Sequence, residues 1–426
     1  MSCTVRVHHH LAEIYPVWRL LWQRDPANPF LHPGWSAAFA QVGGGALETR
    51  LITVWEGEVL RGVLPLRLDR DGVHRFLAAP RADYEDALVD PDRVDAVCDH
   101  LCEWLMTQRF ELAEMPGTSA LGRRLAERGA KRRLSAECPG IALSGEVMAQ
   151  LRRRDSLRRH ERKLGKVGPL KLEAVTASDR AGALGQLMDQ HISRWLAAGG
   201  PSLFLDSRNE QFYQALIAQE DFAEFAALHR LWAGDRVVAL HFGLIAPTAF
   251  IWYKPAFDLN LANMGPGEVL FRYLLEDCWG NGRGYFDFTR GGEAFKKRFA
   301  TQVERNQSLS HRLPVVRPML ERWRRRVLRL KKLGGHVWRE VQSRLQRHDD
   351  LYFQLQTSSL PGDPPEGCQL TFGEVDLVGL GAQHRWHPQW VNAARMKRAV
   401  ERRQRGDRML SLTNAQGHLQ HASWVR

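Results

Sequence analysis

Asp287 lies inside the alternating run Tyr285-Phe286-Asp287-Phe288-Thr289, a carboxylate between two aromatic residues. In a plain buried strand an unpaired charge there is costly, so the residue needs a partner. Lys296 and Lys297, a few positions on in Arg290-Gly291-Gly292-Glu293-Ala294-Phe295-Lys296-Lys297, are within reach. A structural salt bridge and a carboxylate that moves protons are both consistent with such a pair. Upstream, Met264-Gly265-Pro266-Gly267 opens a segment in which Leu270, Leu274 and Cys278 recur at i+4, with Glu268, Arg272 and Glu276 on another face. That is an amphipathic helix, and Pro266 suits its first turn because the missing N–H has no partner there. A glycine loop feeding a helix N-terminus offers N–H donors and a positive dipole end to a phosphate or pyrophosphate. An ordinary turn and helix start would read the same way.

Three further groups carry charge or a titratable ring. Asp83 and Asp86 in Ala82-Asp83-Tyr84-Glu85-Asp86 are either paired carboxylates in a cleft or a turn with a helix cap. The run 152–166 sets Arg152, Arg153, Arg154, Arg158, Arg159, Arg162, Lys163 and Lys166 around Leu151, Leu157 and Leu164. As a helix it is either a solvated face pinned by leucines or a positive wall whose Arg forks grip substrate phosphates. His191 shares a helical face with Leu184, Leu187, Met188, Ile192 and Trp195, the setting of a core histidine more than of a base.

The elements that must position these residues are legible as strands and helices. Leu51–Trp55 and Val59–Leu66 flank a turn at Gly57, and Leu228–Trp232 and Val237–Leu244 flank one at Gly234, so both pairs read as hairpins. A helical segment with aromatic anchors precedes each: Trp35 and Phe39 in one case, Phe212 and Leu216 in the other. Ser207-Arg208-Asn209-Glu210 reads as a capping box that starts the second. The repetition implies two related lobes, 1–143 and 144–314. Gly280, Gly282 and Gly284 stop the helix after Gly267, and the Asp287 strand follows.

The chain has 426 residues, 44% hydrophobic and 25% charged, which is ordinary for a globular protein of two or three domains. A net charge of +12 makes anionic partners plausible, whether nucleotide phosphates, tRNA or a membrane face, and equally describes a solvated basic surface. The six cysteines show no CxxC pair and no zinc-like spacing with histidine, so no metal site is expected. Residues 1–25 carry no signal-peptide pattern, and no segment reaches the roughly 20 apolar residues that span a bilayer. The reading is a cytoplasmic, reduced protein.

Tyr253-Lys254-Pro255-Ala256-Phe257-Asp258, the Gly-Pro-Gly helix start, Phe286-Asp287-Phe288 and the run Gly292 to Lys296 together resemble the GNAT-type acyltransferases, in particular the CelD-like (cellulose-biosynthesis-type) subgroup related to the Fem aminoacyltransferases. The resemblance runs from about Phe30 to Leu313. It implies an α/β (mixed α+β) fold of tandem GNAT-like lobes, each a mixed, mostly antiparallel sheet flanked by helices, with the first lobe on the acceptor side and the second catalytic. It implies an N-acyltransferase that moves an acyl group from acyl-CoA (acetyl-CoA) to an amine of an envelope- or polysaccharide-related sugar or amino acid. The donor's pyrophosphate is expected on Asn263, Met264, Gly265 and Gly267; Ala262 stands where the superfamily places Arg or Gln. Asp287 is the implied base, Lys296 the stabiliser of negative charge, and Tyr253 the proton source for the leaving group or an aromatic wall. Arg158, Arg159, Arg162, Asp83 and Asp86 are the candidate substrate contacts from their charge and spacing. The alternatives are a Fem-like transferase using aminoacyl-tRNA, which the basic segments favour, and a non-catalytic polysaccharide-assembly protein.

Beyond Leu313 the texture changes. Residues 315–350 read as a basic helical linker whose crowded run 322–332 could lie on anionic lipid or RNA. Residues 351–426 contain the loop Pro361–Pro365, a helix over 390–403 and a hairpin over 409–425 around Gln416-Gly417, like the opening of another GNAT lobe.

Overall fold

The structure, a computed structural model, describes residues 3–43, 48–79, 81–313, 369–388 and 390–425. The linker 315–350, its basic run 322–332 and the loop Pro361–Pro365 lie outside the described residues. The strands of the main body are β1 (Cys3–His8), β2 (Glu48–Glu56), β3 (Val59–Leu68), β4 (His74–Phe76), β5 (Leu88–Val89), β6 (Phe110–Pro116), β7 (Lys131–Ala142), β8 (Leu170–Ala174), β9 (Ala226–Ala233), β10 (Arg236–Ile245), β11 (Ala249–Phe257), β12 (Tyr285–Asp287) and β13 (Gln302–His311). Around them pack α1 (Tyr15–Arg24), α2 (Pro33–Gly43), α3 (Val94–Met106), α4 (Ala120–Glu127), α5 (Gly145–Arg153), α6 (Asp155–Leu164), α7 (Arg180–Ala197), α8 (Ser207–Ile217), α9 (Glu220–Ala223), α10 (Pro266–Gly280) and α11 (Ala294–Phe299).

All these strands join one mixed sheet, in the order β1-β2-β3-β4-β6-β13-β7-β12-β11-β10-β9-β8, with β5 beside β3. The hairpins β2/β3 and β9/β10 form as their patterns require, with Gly57 and Gly234 at φ 61° and 60°. Pairing is antiparallel except at β4/β6 and β11/β12. The halves do not carry separate sheets, because they exchange strands. β7, before residue 143, pairs with β12, while β13, at the end of the second half, pairs with both β6 and β7. Apolar alternation shows which face of a strand is buried but not which strand lies beside it, so this exchange had no local signal.

One face of the sheet carries an aromatic core shared by both halves. Trp18, Trp22 and Trp35 of α1 and α2 pack with Phe212 and Tyr213 of α8, the α7 face and Phe242 and Tyr253 of the sheet. The opposite face has two separate cores: α3 and α4 cover the first half, and α5, α6, α10 and α11 the second. Trp195, expected on the buried α7 face, is 41% exposed and lies against Arg194. The start of α8 also differs from the capping box. Asp206, extended at φ −88°, accepts the Arg208 N–H at 3.0 Å, which makes Ser207 the first helical residue and moves Glu210 out of the box.

The C-terminal module holds β14 (Gln369–Gly373), α12 (Leu377–Ala382), α13 (Ala393–Gln404), β15 (Arg408–Thr413) and β16 (Leu419–Val425). The expected hairpin is β15/β16, and β14 pairs with its free side to make a three-stranded sheet. Gly381 lies so close to α7 that a Cβ on it would come within 2.5 Å of the Ser193 Cβ. Arg385 pairs with Asp189 of α7 at 2.8 Å, and Asp376 accepts from Asn260, just before α10, at 2.9 Å.

Candidate active site

β11 and β12 run parallel for three pairs, ending at Ile251 opposite Asp287. β11 then continues to Phe257 while the chain after Asp287 turns away, so the two strands part at the carboxylate. β11 is also bulged against β10. Leu244 faces Ile251 but Phe242 faces Lys254, which inserts one extra residue. Lys254 therefore shares the face of Tyr253, and its Nζ sits 3.6 Å over the tyrosine ring. The Tyr253 N–H freed at the bulge donates to His241 Nε2 at 3.1 Å. Burial holds the His241 pKa well below its ordinary value, so the ring is neutral and can accept.

The first half reaches this opening through the segment 81–86, after β4. Tyr84 Oη donates to Asp287 Oδ1 at 2.8 Å, and the Thr289 N–H donates to the same oxygen at 2.7 Å. Asp83 pairs with Arg290 at 2.8 Å, and the Arg81 carbonyl accepts from the Tyr253 hydroxyl. Arg290 lies 3.8 Å from Glu114, whose carboxylate also accepts from Asn306 at 3.0 Å. Thr289 and Glu114 hold φ of 56° and 57°, a left-handed conformation that is a genuine outlier for a β-branched residue and is often kept where a site requires it.

Burial raises the Asp287 pKa to about 6, against the pull of Thr289, Tyr84 and the Lys296 charge. Burial lowers Lys254 to about 8, with Asp83 opposing and Arg290 and Lys296 adding to the shift. Titratable groups pushed toward neutrality on both sides of one cleft are suited to proton transfer.

The hydrogen-bond partner of Asp287 is Tyr84, where the sequence pointed to Lys296 or Lys297. Lys296 Nζ donates to the Arg290 carbonyl at 2.7 Å and pairs with Glu293 at 3.1 Å, and Lys297 pairs with Glu137 at 2.6 Å. The turn at Gly291, φ 124°, folds the 290–293 loop back so that Lys296 closes it. The expected strand likewise stops at Asp287, because Thr289 turns its N–H back onto the carboxylate. Tyr253 is buried with its hydroxyl committed to Arg81, and burial raises its pKa well above the ordinary value. It is positioned as the floor under Lys254.

Asp83 and Asp86 are not a pair in one cleft. Asp86 turns into the first half, where it accepts from Ser119 Oγ at 2.9 Å and from the Ala87 N–H at 2.8 Å, and burial raises it to about 6. His191 is a core residue bound to Ser202 Oγ at 2.8 Å. Sequence reasoning missed Tyr84, Arg81, Arg290 and Lys254. A period-of-two strand would turn Lys254 away from Tyr253, and Tyr84 meets Asp287 only through the tertiary fold.

At α10, Gly265 takes φ 70°, and a Cβ there would come within 2.6 Å of the His160 ring of α6. Glu268, in the first turn, pairs with His160 at 3.0 Å and with Arg298. An anion thus already sits at this helix N-terminus, held by two basic side chains, so the residues fit an anionic group. Arg158, Arg159 and Arg162 are exposed on α6 nearby. Asn263 and Met264 belong to the 3-10 turn Leu259–Met264 that leads into Gly265. A separate cavity of about 310 Å³ opens in the C-terminal module beside Asp376, Leu380 and Met409, and shares no residue with this cleft. Among the described residues no group of three His, Cys, Asp or Glu side chains could hold a metal ion, and no helix is long and apolar enough to cross a membrane.

A helix N-terminus beside two parting parallel strands, with a tuned carboxylate where they separate, fits acyl transfer. The family described as Acetyltransferase (GNAT) domain matches residues 152–297, the stretch that carries β11, α10, β12 and Lys296. Residues 152–297 thus match a GNAT acetyltransferase domain, and acyl transfer is the chemistry that this match supports. Among solved structures the chain is similar to FemX (12% identity, 72% of this chain and 97% of that one, TM-score 0.49). It is similar also to L-PGS from Bacillus licheniformis (13% identity, 67% and 94%, TM-score 0.44). A third is a tandem GNAT protein from the clavulanic acid biosynthesis pathway (12% identity, 74% and 99%, TM-score 0.39). No curated protein matches the chain.

Proposed function

We propose that the chain is a cytoplasmic N-acyltransferase that moves an acyl group from an acyl-CoA to the amine of an envelope- or polysaccharide-related sugar or amino acid, with Asp287 as the base. The observation that carries this reading is Asp287 itself, buried where β11 and β12 part and held by Tyr84 and the Thr289 N–H. An acceptor arrives as an ammonium ion and must lose a proton to attack a carbonyl. With a pKa of about 6, Asp287 is mostly ionised at pH 7 yet closer in basicity to an amine than an exposed aspartate is. Lys296, held beside the Arg290 carbonyl, supplies positive charge nearby.

On the donor side, Asn263, Met264, Gly265 and Gly267 would hold the pyrophosphate, with Arg158, Arg159 and Arg162 as the outer positive wall and Glu268 giving up its place to it. The thioester supplies an activated acyl carbon and a good leaving group. The second reading, a donor carried on tRNA, rests on the exposed arginines of α6. Thiol release from acetyl-CoA or longer acyl-CoAs with a panel of amines tests the first reading, and salt-sensitive tRNA binding tests the second. Release of thiol that disappears in Asp287→Asn supports acyl-CoA transfer. Aminoacyl transfer from charged tRNA, without thiol release from any acyl-CoA, would replace it.

A further inference from the structure

Two of the cations at the cleft form no ion pair with its carboxylates. Asp83 is bound by Arg290 at 2.8 Å and Glu293 by Lys296 at 3.1 Å, so each is committed. Two cations remain. Lys254 rests its ammonium on the Tyr253 ring, and among the described residues it has no hydrogen-bond or ion-pair partner. Arg194 of α7 reaches the same strand, where its Nη2 contacts the Pro255 carbonyl at 3.4 Å. Its guanidinium lies 5.4 Å from the Trp195 ring centre and 5.6 Å from that of Phe257, its Nε is buried without a partner, and among the described residues it too forms no ion pair, Glu293 acting on it only at longer range.

The two residues meet the same stretch of β11: Lys254 precedes Pro255, whose carbonyl Arg194 touches, and both act on His191. Each is a desolvated cation without the paired anion that normally accompanies a buried charge. Their lowered pKa values, about 8 for Lys254 and about 10 for Arg194, have burial as the first cause in both cases. The fold therefore maintains an unfavourable arrangement that an incoming anion would relieve.

We propose that Lys254 and Arg194 form a receptor for a carboxylate or phosphate on the acceptor, so that the preferred acceptor is an anionic amine, an amino acid or an amino-sugar phosphate, and not a neutral amino sugar. This rests on the acyl-transfer reading for the meaning of acceptor, although the binding can be measured without turnover. The bulge in β11 is what brings Lys254 onto this face, five positions before the 3-10 turn that leads toward α10. An anion held there would place the rest of the molecule in the cleft lined by Asp83 and Asp287.

The test is calorimetric binding to the full chain, with CoA present, of two matched pairs: glucosamine 6-phosphate against glucosamine, and alanine against alaninamide. The expected result is that the anionic member of at least one pair binds about 10–100-fold more tightly, the magnitude of one or two charge-assisted contacts. Preference in the sugar pair identifies phosphate as the anion, and preference in the amino-acid pair identifies carboxylate. Lys254→Met and Arg194→Met should each remove most of the preference, with melting temperatures at or above that of the parent, while Lys254→Arg keeps it. No preference in either pair, or a preference that survives both Met variants, overturns the proposal. Anion preference with no thiol release from any acyl-CoA would instead count against the acyl-CoA reading and leave the receptor standing.

Discussion

Tyr84 and Asp287 are 203 positions apart in the chain, and the phenol of one donates to the carboxylate of the other at 2.8 Å. The bond joins the first half of the molecule to the proposed base in the second. With Asp83 on Arg290 and the Arg81 carbonyl on Tyr253, three nearby residues of one loop each hold a different part of the site. The first half is thus a structural component of the cleft as well as one of its walls.

Tyr84→Phe should keep the fold and change the titration of Asp287. The phenol stabilises the ionised carboxylate, so its removal raises the carboxyl pKa. The acidic limb of the kcat/KM profile should move up by about 0.5–1 unit, equivalent to about 1 kcal/mol of lost hydrogen bond. Turnover measured between pH 5 and 8 reads this directly; a limb that stays in place would separate Tyr84 from the base.

Asp287→Asn should lower turnover by about 10²–10⁴-fold, the contribution of a positioned base. Its effect on stability has the opposite sign. The carboxyl pKa rises from 3.8 unfolded to about 6 folded, so between these values the folded state binds more protons. Stability therefore falls as pH rises through the window from about 4 to 6, by about 2–3 kcal/mol, and the penalty persists at neutral pH. The Asn variant should lose that slope and melt at an equal or higher temperature than the parent at pH 7. Urea titrations of both proteins at pH 4, 5, 6 and 7 measure it.

What the sequence revealed was governed by local chemistry. The turns at Gly57 and Gly234 and the helix start at Pro266 each depend on a few adjacent residues, and each appears in the structure. The α8 cap was missed by one position because Asp206 and Ser207 are both good caps and only backbone conformation chooses between them. Asp287 stood out as a charge among aromatics, but its partner did not, since nothing around Tyr84 encodes a contact with β12. Lys254 was hidden by the rule that exposes most strand residues: alternation fails at a bulge, and the bulge is set by pairing with β10.

The strand exchange predicts how the molecule unfolds. A fragment ending at Leu143 would lose β13 from between β6 and β7, exposing the backbone edge of both. It should therefore not show a cooperative melting transition, whereas residues 1–313 should unfold in a single one. Two resolved transitions in calorimetry of residues 1–313, or a cooperative melt of the short fragment, would show that the halves are energetically separate despite the shared sheet.

The last prediction concerns Glu268, whose carboxylate occupies the N-terminal turn of α10 between His160 and Arg298. An anionic donor at that turn must compete with it, because the same dipole end and the same basic side chains serve both. Glu268→Gln removes the internal anion while keeping the side-chain shape, so acyl-CoA affinity should increase about 3–10-fold, equivalent to about 0.7–1.4 kcal/mol. The gain should shrink in high salt, where the attraction is screened. Gly265→Ala acts in the opposite direction. Its backbone is left-handed and the added carbon meets the His160 ring, so the loop must shift at a cost of about 1–3 kcal/mol. Titration of CoA into both variants, with melting curves as the fold control, separates the two effects: tighter binding in the Gln variant with an unchanged melt is the signature of a displaced internal anion.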